Sequence, residues 1–286
     1  MDFKDPKDVA FNLNKVGYFC DQEIATAVYL AYNLQKPLLI EGPAGVGKTE
    51  IALSLSQALN VPLLRLQCYP GLDETKALYE WNYQKQLLFL QTVKTNWQEV
   101  KKDLYSEEFL LPRPLLKALT FPGKSILLID EIDKSDEEFE SFLLETLAEY
   151  AITIPEMGTI KAHTPPFIVI TSNNSRELSD ALRRRCLYLY LNYPERKREV
   201  EIILNKVPGI EQKLAEQIVD FANRLRSRDL KKKPSIAETV EMAKTVQLLN
   251  LTSLNPEILN TTLGVLVKHW EDLKYIKEKE LPNYKL

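Results

Sequence analysis

The sequence is poor in the residues that build chemistry without a packed core. Its three cysteines, Cys20, Cys68 and Cys186, are widely spaced and contain no Cys-x-x-Cys pair. That pattern excludes a disulfide framework and a cysteine zinc site. Each is expected to be a small buried or half-buried side chain in a reducing cytoplasm. The two histidines, His163 and His269, stand apart and form no ligand set. Nine glycines among 286 residues are too few for a collagen-like or linker-like chain. No apolar run reaches the length of about 18 residues that a membrane helix needs. Residues 1–8 are charged and lack the apolar core of a signal peptide, so no membrane insertion and a cytoplasmic location are expected. Neither sign of charge dominates: 37 Lys and Arg face 40 Asp and Glu, a net charge of −3. Bulk charge therefore argues against nucleic acid or an anionic membrane as partner. What is there is an ordinary globular mixture, 45% hydrophobic and 27% charged, which excludes intrinsic disorder. The length suits one large or two smaller domains.

Periodicity divides the chain. Ile24, Ala27, Val28, Ala31 and Leu34 are spaced for a helix over 21–35, with Asp21 as its N-cap. Short apolar runs predict strands at 37–40, 61–66, 125–129, 167–171 and 187–191. Helices are predicted at 49–59 and from Ser135, where Ser135-x-x-Glu138 fits a capping box. Residues 67–122 carry mixed signals that read as short helices and loops. Residues 151–162 read as a hairpin turning at Glu156-Met157-Gly158. Strands alternating with helices imply an α/β fold with a parallel sheet flanked by helices. After Tyr193-Pro194 strand signals cease, and helical patterns follow near 195–206, 211–228, 235–250 and 256–278. The expected organisation is an α/β domain over 1–194 and a small all-α domain over 195–286.

The chemistry concentrates at four places. The first is Gly42-Pro43-Ala44-Gly45-Val46-Gly47-Lys48-Thr49, between a predicted strand and a predicted helix. Its fixed positions, Gly42, Gly47, Lys48 and Thr49, match a phosphate-binding loop. The glycines let backbone N–H groups curl around an anion. Lys48 can reach the β- and γ-phosphates, Thr49 can ligate Mg²⁺, and the helix that follows through Glu50 offers its N-terminal dipole. The second place is Asp130-Glu131, at the end of the apolar run Ile126–Ile129. Asp130 would hold Mg²⁺ and Glu131 would polarise the attacking water, because a carboxylate tied to metal cannot also serve as base. Asp133 reads as a loop or capping residue. The third place is Asn173, or Asn174 beside it, where an amide at a strand end could orient the water. The fourth is Arg183-Arg184-Arg185, readable as a solvated cationic turn or as an arginine finger acting in trans. A further basic stretch, Arg224 to Lys233, reads as a solvated helix end and loop.

In order and spacing these parts resemble the AAA+ ATPases: Gly42–Thr49 matches Walker A, Ile126–Glu131 Walker B, Asn173 sensor 1 and Arg185 the arginine finger. Leu66–Glu74, Ala77–Gln86, Phe109–Leu116, Ile154–Ile160 and Thr171–Cys186 are similar to the MoxR-like branch, with a weaker likeness to the accessory ATPase of carbon monoxide dehydrogenase-type operons. The resemblance covers about residues 15–250 and implies an AAA+ domain followed by a helical lid. It also implies a helix-2 insertion near 72–95 and a hairpin near 151–162, before sensor 1. It further implies ATP and Mg²⁺ as cofactors, ATP hydrolysis, and a homo-oligomeric ring, usually a hexamer. A partner with a von Willebrand factor A domain and a protein client for chaperone-like remodelling or metalloenzyme maturation are expected with it. One residue departs from the pattern: Ala237 stands where the family's lid carries the sensor 2 arginine, with Lys233 as a candidate substitute. Whether Arg184 or Arg185 is the finger is open at this point. Two other readings share the motifs, a nucleic-acid motor or clamp-loader-like subunit and a nucleotide-gated binding module with little turnover.

Overall fold

In a computed structural model, residues 3–92, 104–155 and 157–283 are described. Positions 93–95 of the expected insertion and Glu156 of the expected hairpin turn lie outside them. The chain divides into two units, one of residues 1–12, 20–41 and 49–190, the other of residues 13–19, 42–48 and 191–286.

The first unit is built on a five-stranded parallel sheet, which bears out the expected α/β fold class. Its strands are β1 (Leu38–Glu41), β2 (Leu63–Gln67), β5 (Ile126–Asp130), β8 (Phe167–Ser172) and β9 (Leu187–Tyr190), in the order β2-β5-β8-β1-β9. Every residue of β1, β5 and β8 is buried, as parallel strands covered on both faces require. Leu39, Leu127, Ile129, Ile168 and Ile170 join Leu115, Phe139 and Leu143 from flanking helices in one core.

Register carries the chemistry to one edge. Gln67 pairs with Asp130, and Glu41 with Ser172, so the C-terminal ends of these strands lie side by side. The β2 strand starts at Leu63 rather than Val61, because Pro62 has no N–H and only its carbonyl joins the ladder, accepting the Ile126 N–H at 3.0 Å.

Between 67 and 122 the described residues hold more order than their mixed pattern suggested. Strand β3 (Tyr79–Trp81) pairs antiparallel with β4 (Leu110–Pro112). Trp81 sits edge-on to Tyr79 and Tyr105, at 5.7 and 5.2 Å between ring centres. A second antiparallel ribbon joins β6 (Ala151–Ile154) to β7 (Gly158–Lys161). The helix Glu137–Glu149 is capped by Asp136, not Ser135. Asp136 accepts the Phe139 N–H at 2.9 Å, while the Ser135 hydroxyl closes the preceding turn on the Ile132 carbonyl.

The second unit packs helices Arg196–Lys206, Gln212–Arg226, Ile236–Leu248 and Pro256–Leu266 around Ile203, Ile218, Phe221, Met242, Val246, Leu259 and Leu263. The single helix expected over 256–278 is broken. Val267 is extended with its side chain buried, and a new helix starts at Trp270.

The basic stretch is solvated at its loop end, where Lys231, Lys232 and Lys233 are exposed, but not at its helix end. Arg226 is buried and forms a two-pronged pair with Glu199, at 2.6 and 2.7 Å. It also donates to the Pro234 carbonyl at 2.8 Å and lies 4.5 Å over the Tyr193 ring. Arg224 and Arg228 both meet Glu280, and Lys231 meets Glu271. No helix among the described residues is long and apolar enough to cross a membrane.

Candidate nucleotide site

The loop after β1 is shaped by its glycines. Gly42 has φ +153°, and a Cβ there would run into the Leu191 carbonyl. Gly45 has φ +74° and lies against the Ser235 side chain, so any side chain at 45 would collide with it. Ser235 is the N-cap of helix Ile236–Leu248, whose Ile236 N–H donates to the Gly45 carbonyl at 3.2 Å. Pro43, Ala44 and Val46 complete the curve, with Val46 buried. Lys48 is 6% exposed, and its ammonium donates to the carbonyls of Gly42 and Pro43 at 2.7 and 2.8 Å. The helix Lys48–Leu59 follows, with Thr49 and Glu50 in its first turn.

At the sheet edge, the Thr49 hydroxyl lies 3.0 Å from Asp130 Oδ1, which also accepts from the Thr171 hydroxyl at 2.5 Å. Asp130 Oδ2 pairs with Arg65 at 2.5 Å. A threonine hydroxyl and a carboxylate meeting at this distance are oxygen donors of the kind Mg²⁺ takes beside substrate phosphates, so these residues fit that ion.

Glu131 leaves the strand with φ +57°, a left-handed conformation rare for a side chain of this size. Its N–H donates to the Thr171 hydroxyl at 2.9 Å, which holds the turn. Its carboxylate accepts from Gln67 Nε2 at 2.8 Å, Lys134 Nζ at 2.6 Å and Asn173 Nδ2 at 3.1 Å. Asn173 is therefore the asparagine that reaches Glu131. Asn174, with φ +56°, turns its N–H to the Ser172 hydroxyl instead.

Asp133, expected as a loop or capping residue, lies in the short turn Ile132–Lys134 and caps the chain at Asn173 and Ser175. It is buried and accepts the N–H groups of Asn173 and Ser175, both at 3.1 Å, and the Ser175 hydroxyl. Burial pushes its carboxyl up, but the bonds from Ser175 and Asn173 outweigh that and hold it below its ordinary value. Cys68, behind the acids, has its thiol pushed up to about 12, by burial first and the Asp130 charge second, so it stays protonated.

The three arginines have different surroundings. Arg183 pairs with buried Glu41 at 3.2 Å, and Tyr188 donates to the same carboxylate at 2.9 Å. Arg185 is exposed and donates to the Leu144 carbonyl. Arg184 is exposed and bonded to nothing among the described residues. Ala237 lines a cavity of about 770 Å³ with Pro43, Gly45, Tyr193, Lys233 and Ser235.

A sequence profile for the AAA domain, dynein-related subfamily, matches residues 37–186. The chain belongs to that family. This AAA domain is also similar to a Staphylococcus haemolyticus protein described as uncharacterised, 27% identical over 241 residues, covering 82% of this chain and 83% of that one. A Staphylococcus aureus protein, likewise described, is 28% identical over 230 residues, covering 78% and 79%. Among solved structures, a Lys-to-Arg variant of Thermotoga maritima RuvB superposes with a TM-score of 0.52 at 20% identity, over 96% of this chain and 79% of that one. A Pro-to-Gly variant of the same protein gives 0.51 at 20%, over 97% and 80%. At that identity the likeness is one of fold alone.

Three residues beside the candidate site, Thr171, Arg65 and Gln67, carried no sequence signal that singled them out, and Asp133 read only as a loop or capping residue. Thr171 was legible only as a neighbour of Asn173. Arg65 and Gln67 face the acids because the strand order puts β2 beside β5, which no local pattern states.

Proposed function

We propose that this AAA domain binds and hydrolyses ATP, with residues 1–194 as the nucleotide domain and 195–286 as its helical lid. The observation that supports the reading best is the convergence of Thr49 and Asp130 at 3.0 Å beside a Glu131 held by Asn173. The loop from Gly42 to Glu50 would cradle the phosphates with its N–H groups, and Lys48 would turn from its own carbonyls to the β- and γ-oxygens. Thr49 and Asp130 would hold Mg²⁺, whose charge offsets that of the phosphates. Glu131 takes the proton of the attacking water while Asn173 fixes that water's position. Arg185 of a neighbouring copy would supply the charge that stabilises the transferring group.

The segments shared with the MoxR-like branch support a finer reading: a homo-oligomeric ring, usually of six, that remodels a protein client with a von Willebrand factor A-domain partner. An insertion near 72–95 and a hairpin near 151–162 are what that branch would carry.

The deciding experiment is Glu131→Gln. The variant keeps the carboxylate's shape without its basicity, so ATP binding persists and turnover falls by about 10²–10⁴. Hydrolysis at the wild-type rate overturns the assignment of the base. Turnover raised by DNA in a salt-dependent way, and not by an A-domain partner, transfers the protein to the nucleic-acid reading.

A further inference from the structure

The two acids of the site are tied together by the strand beside them. Arg65 and Gln67 lie two residues apart on β2, so both side chains point to the same face of the sheet. Arg65 Nη2 sits 2.5 Å from Asp130 Oδ2 and 2.6 Å from Gln67 Oε1. Gln67 Nε2 then donates to Glu131 Oε2 at 2.8 Å. The result is one continuous chain of contacts, Asp130–Arg65–Gln67–Glu131.

Each link has a chemical sense. An amide has one acceptor end and one donor end. With its oxygen claimed by Arg65, Gln67 must present its N–H₂ to Glu131, so the arginine sets the direction of the glutamine. The Asp130 side chain is almost wholly buried, while that of Arg65 is half exposed. The carboxylate therefore cannot move away, but the guanidinium can swing into water.

We infer that Arg65 is a built-in competitor for the divalent cation at Asp130, and that through Gln67 its departure also loosens the hold on Glu131. The guanidinium neutralises the carboxylate on which a metal, or a water bound to it, depends. Two cations cannot both take full advantage of one carboxylate, so occupancy by one weakens the other. When Arg65 swings out, Gln67 loses the partner that orients it, and the amide can turn away from the base. Arrival of the cation and release of the base then become a single event. Arg65 is a positioning residue in this scheme, not a catalytic one. The inference rests on the nucleotide reading above but is tested apart from it.

The test is equilibrium binding, not turnover. The dissociation constant of methylanthraniloyl-ADP is measured on the full chain with Mg²⁺ and with EDTA, and the EDTA value divided by the Mg²⁺ value reports the contribution of the metal. Arg65→Gln should raise that ratio about tenfold, whereas Arg65→Lys, which keeps the charge, should stay near wild type. Gln67→Ala should raise it less, by weakening support for Arg65. The double variant should then exceed Arg65→Gln alone by little, because both substitutions break one chain. An unchanged or lower ratio in Arg65→Gln overturns the competition, and strictly additive effects overturn the relay through Gln67. A wild-type chain that binds no nucleotide under either condition overturns the nucleotide reading itself, and this inference with it.

Discussion

At the scale of single residues, the least expected participant is Asp133. It touches neither of the two acids, yet it receives three hydrogen bonds from Asn173 and Ser175 and so fixes where the asparagine side chain starts. Asp133→Asn keeps the size but turns an N–H₂ toward donors. Leaving a buried donor unpaired costs about 1–3 kcal/mol, and turnover falls as Asn173 shifts. The stabilisation has a pH signature. The folded carboxyl lies below its ordinary value, so its contribution is full above that value and is lost as pH falls through the lower, folded one. Thermal unfolding of wild type and Asp133→Asn at a series of pH values checks this: the gap in Tm holds at neutral pH and closes in acid. A gap independent of pH shows that the charge of Asp133 is not what matters.

At the scale of elements, local signals were legible and partners were not. The run Ile126–Ile129 announces a fully buried strand, and the loop 42–49 announces its own shape through glycines that must take positive φ. Asp136 displaced Ser135 as a cap because two capping residues stood side by side and only the turn geometry chooses between them. Arg226 was hidden for a different reason. It sits in a run of cations that reads as solvent-facing, and its partner Glu199 lies 27 residues away on another helix.

That pair joins helices Arg196–Lys206 and Gln212–Arg226 and, through Thr239 and the Pro234 carbonyl, the start of Ile236–Leu248. Arg226→Met strands Glu199 in the core and should cost about 3–5 kcal/mol in denaturant unfolding. The double change Arg226→Met with Glu199→Leu removes both charges and should recover most of that loss. A double variant no more stable than the single assigns the cost to lost packing instead of the stranded charge.

At the scale of the whole molecule, the proposed finger Arg185 is expected to serve a neighbouring copy. Arg185 rests on its own chain's Leu144 carbonyl, on the exposed end of a short helix, Asp180–Arg185, beyond the acids. If it acts on the neighbouring copy, the ATPase rate per subunit rises with protein concentration. Arg185→Ala then lowers the rate by about 10³–10⁵ at every concentration. Arg184→Ala serves as the control, since Arg184 is also exposed and carries the same charge. Equal losses in both variants show that general positive charge matters and not one finger, and a rate flat with concentration in wild type places the whole site within a single subunit.

The left-handed backbone at Glu131 sets folding and chemistry against each other at one position. Glycine is what such a conformation selects, and exchanging the glutamate for it would relieve about 1 kcal/mol of strain while deleting the proposed base. A lineage selected only for heat resistance would therefore drift toward an inert protein at this residue.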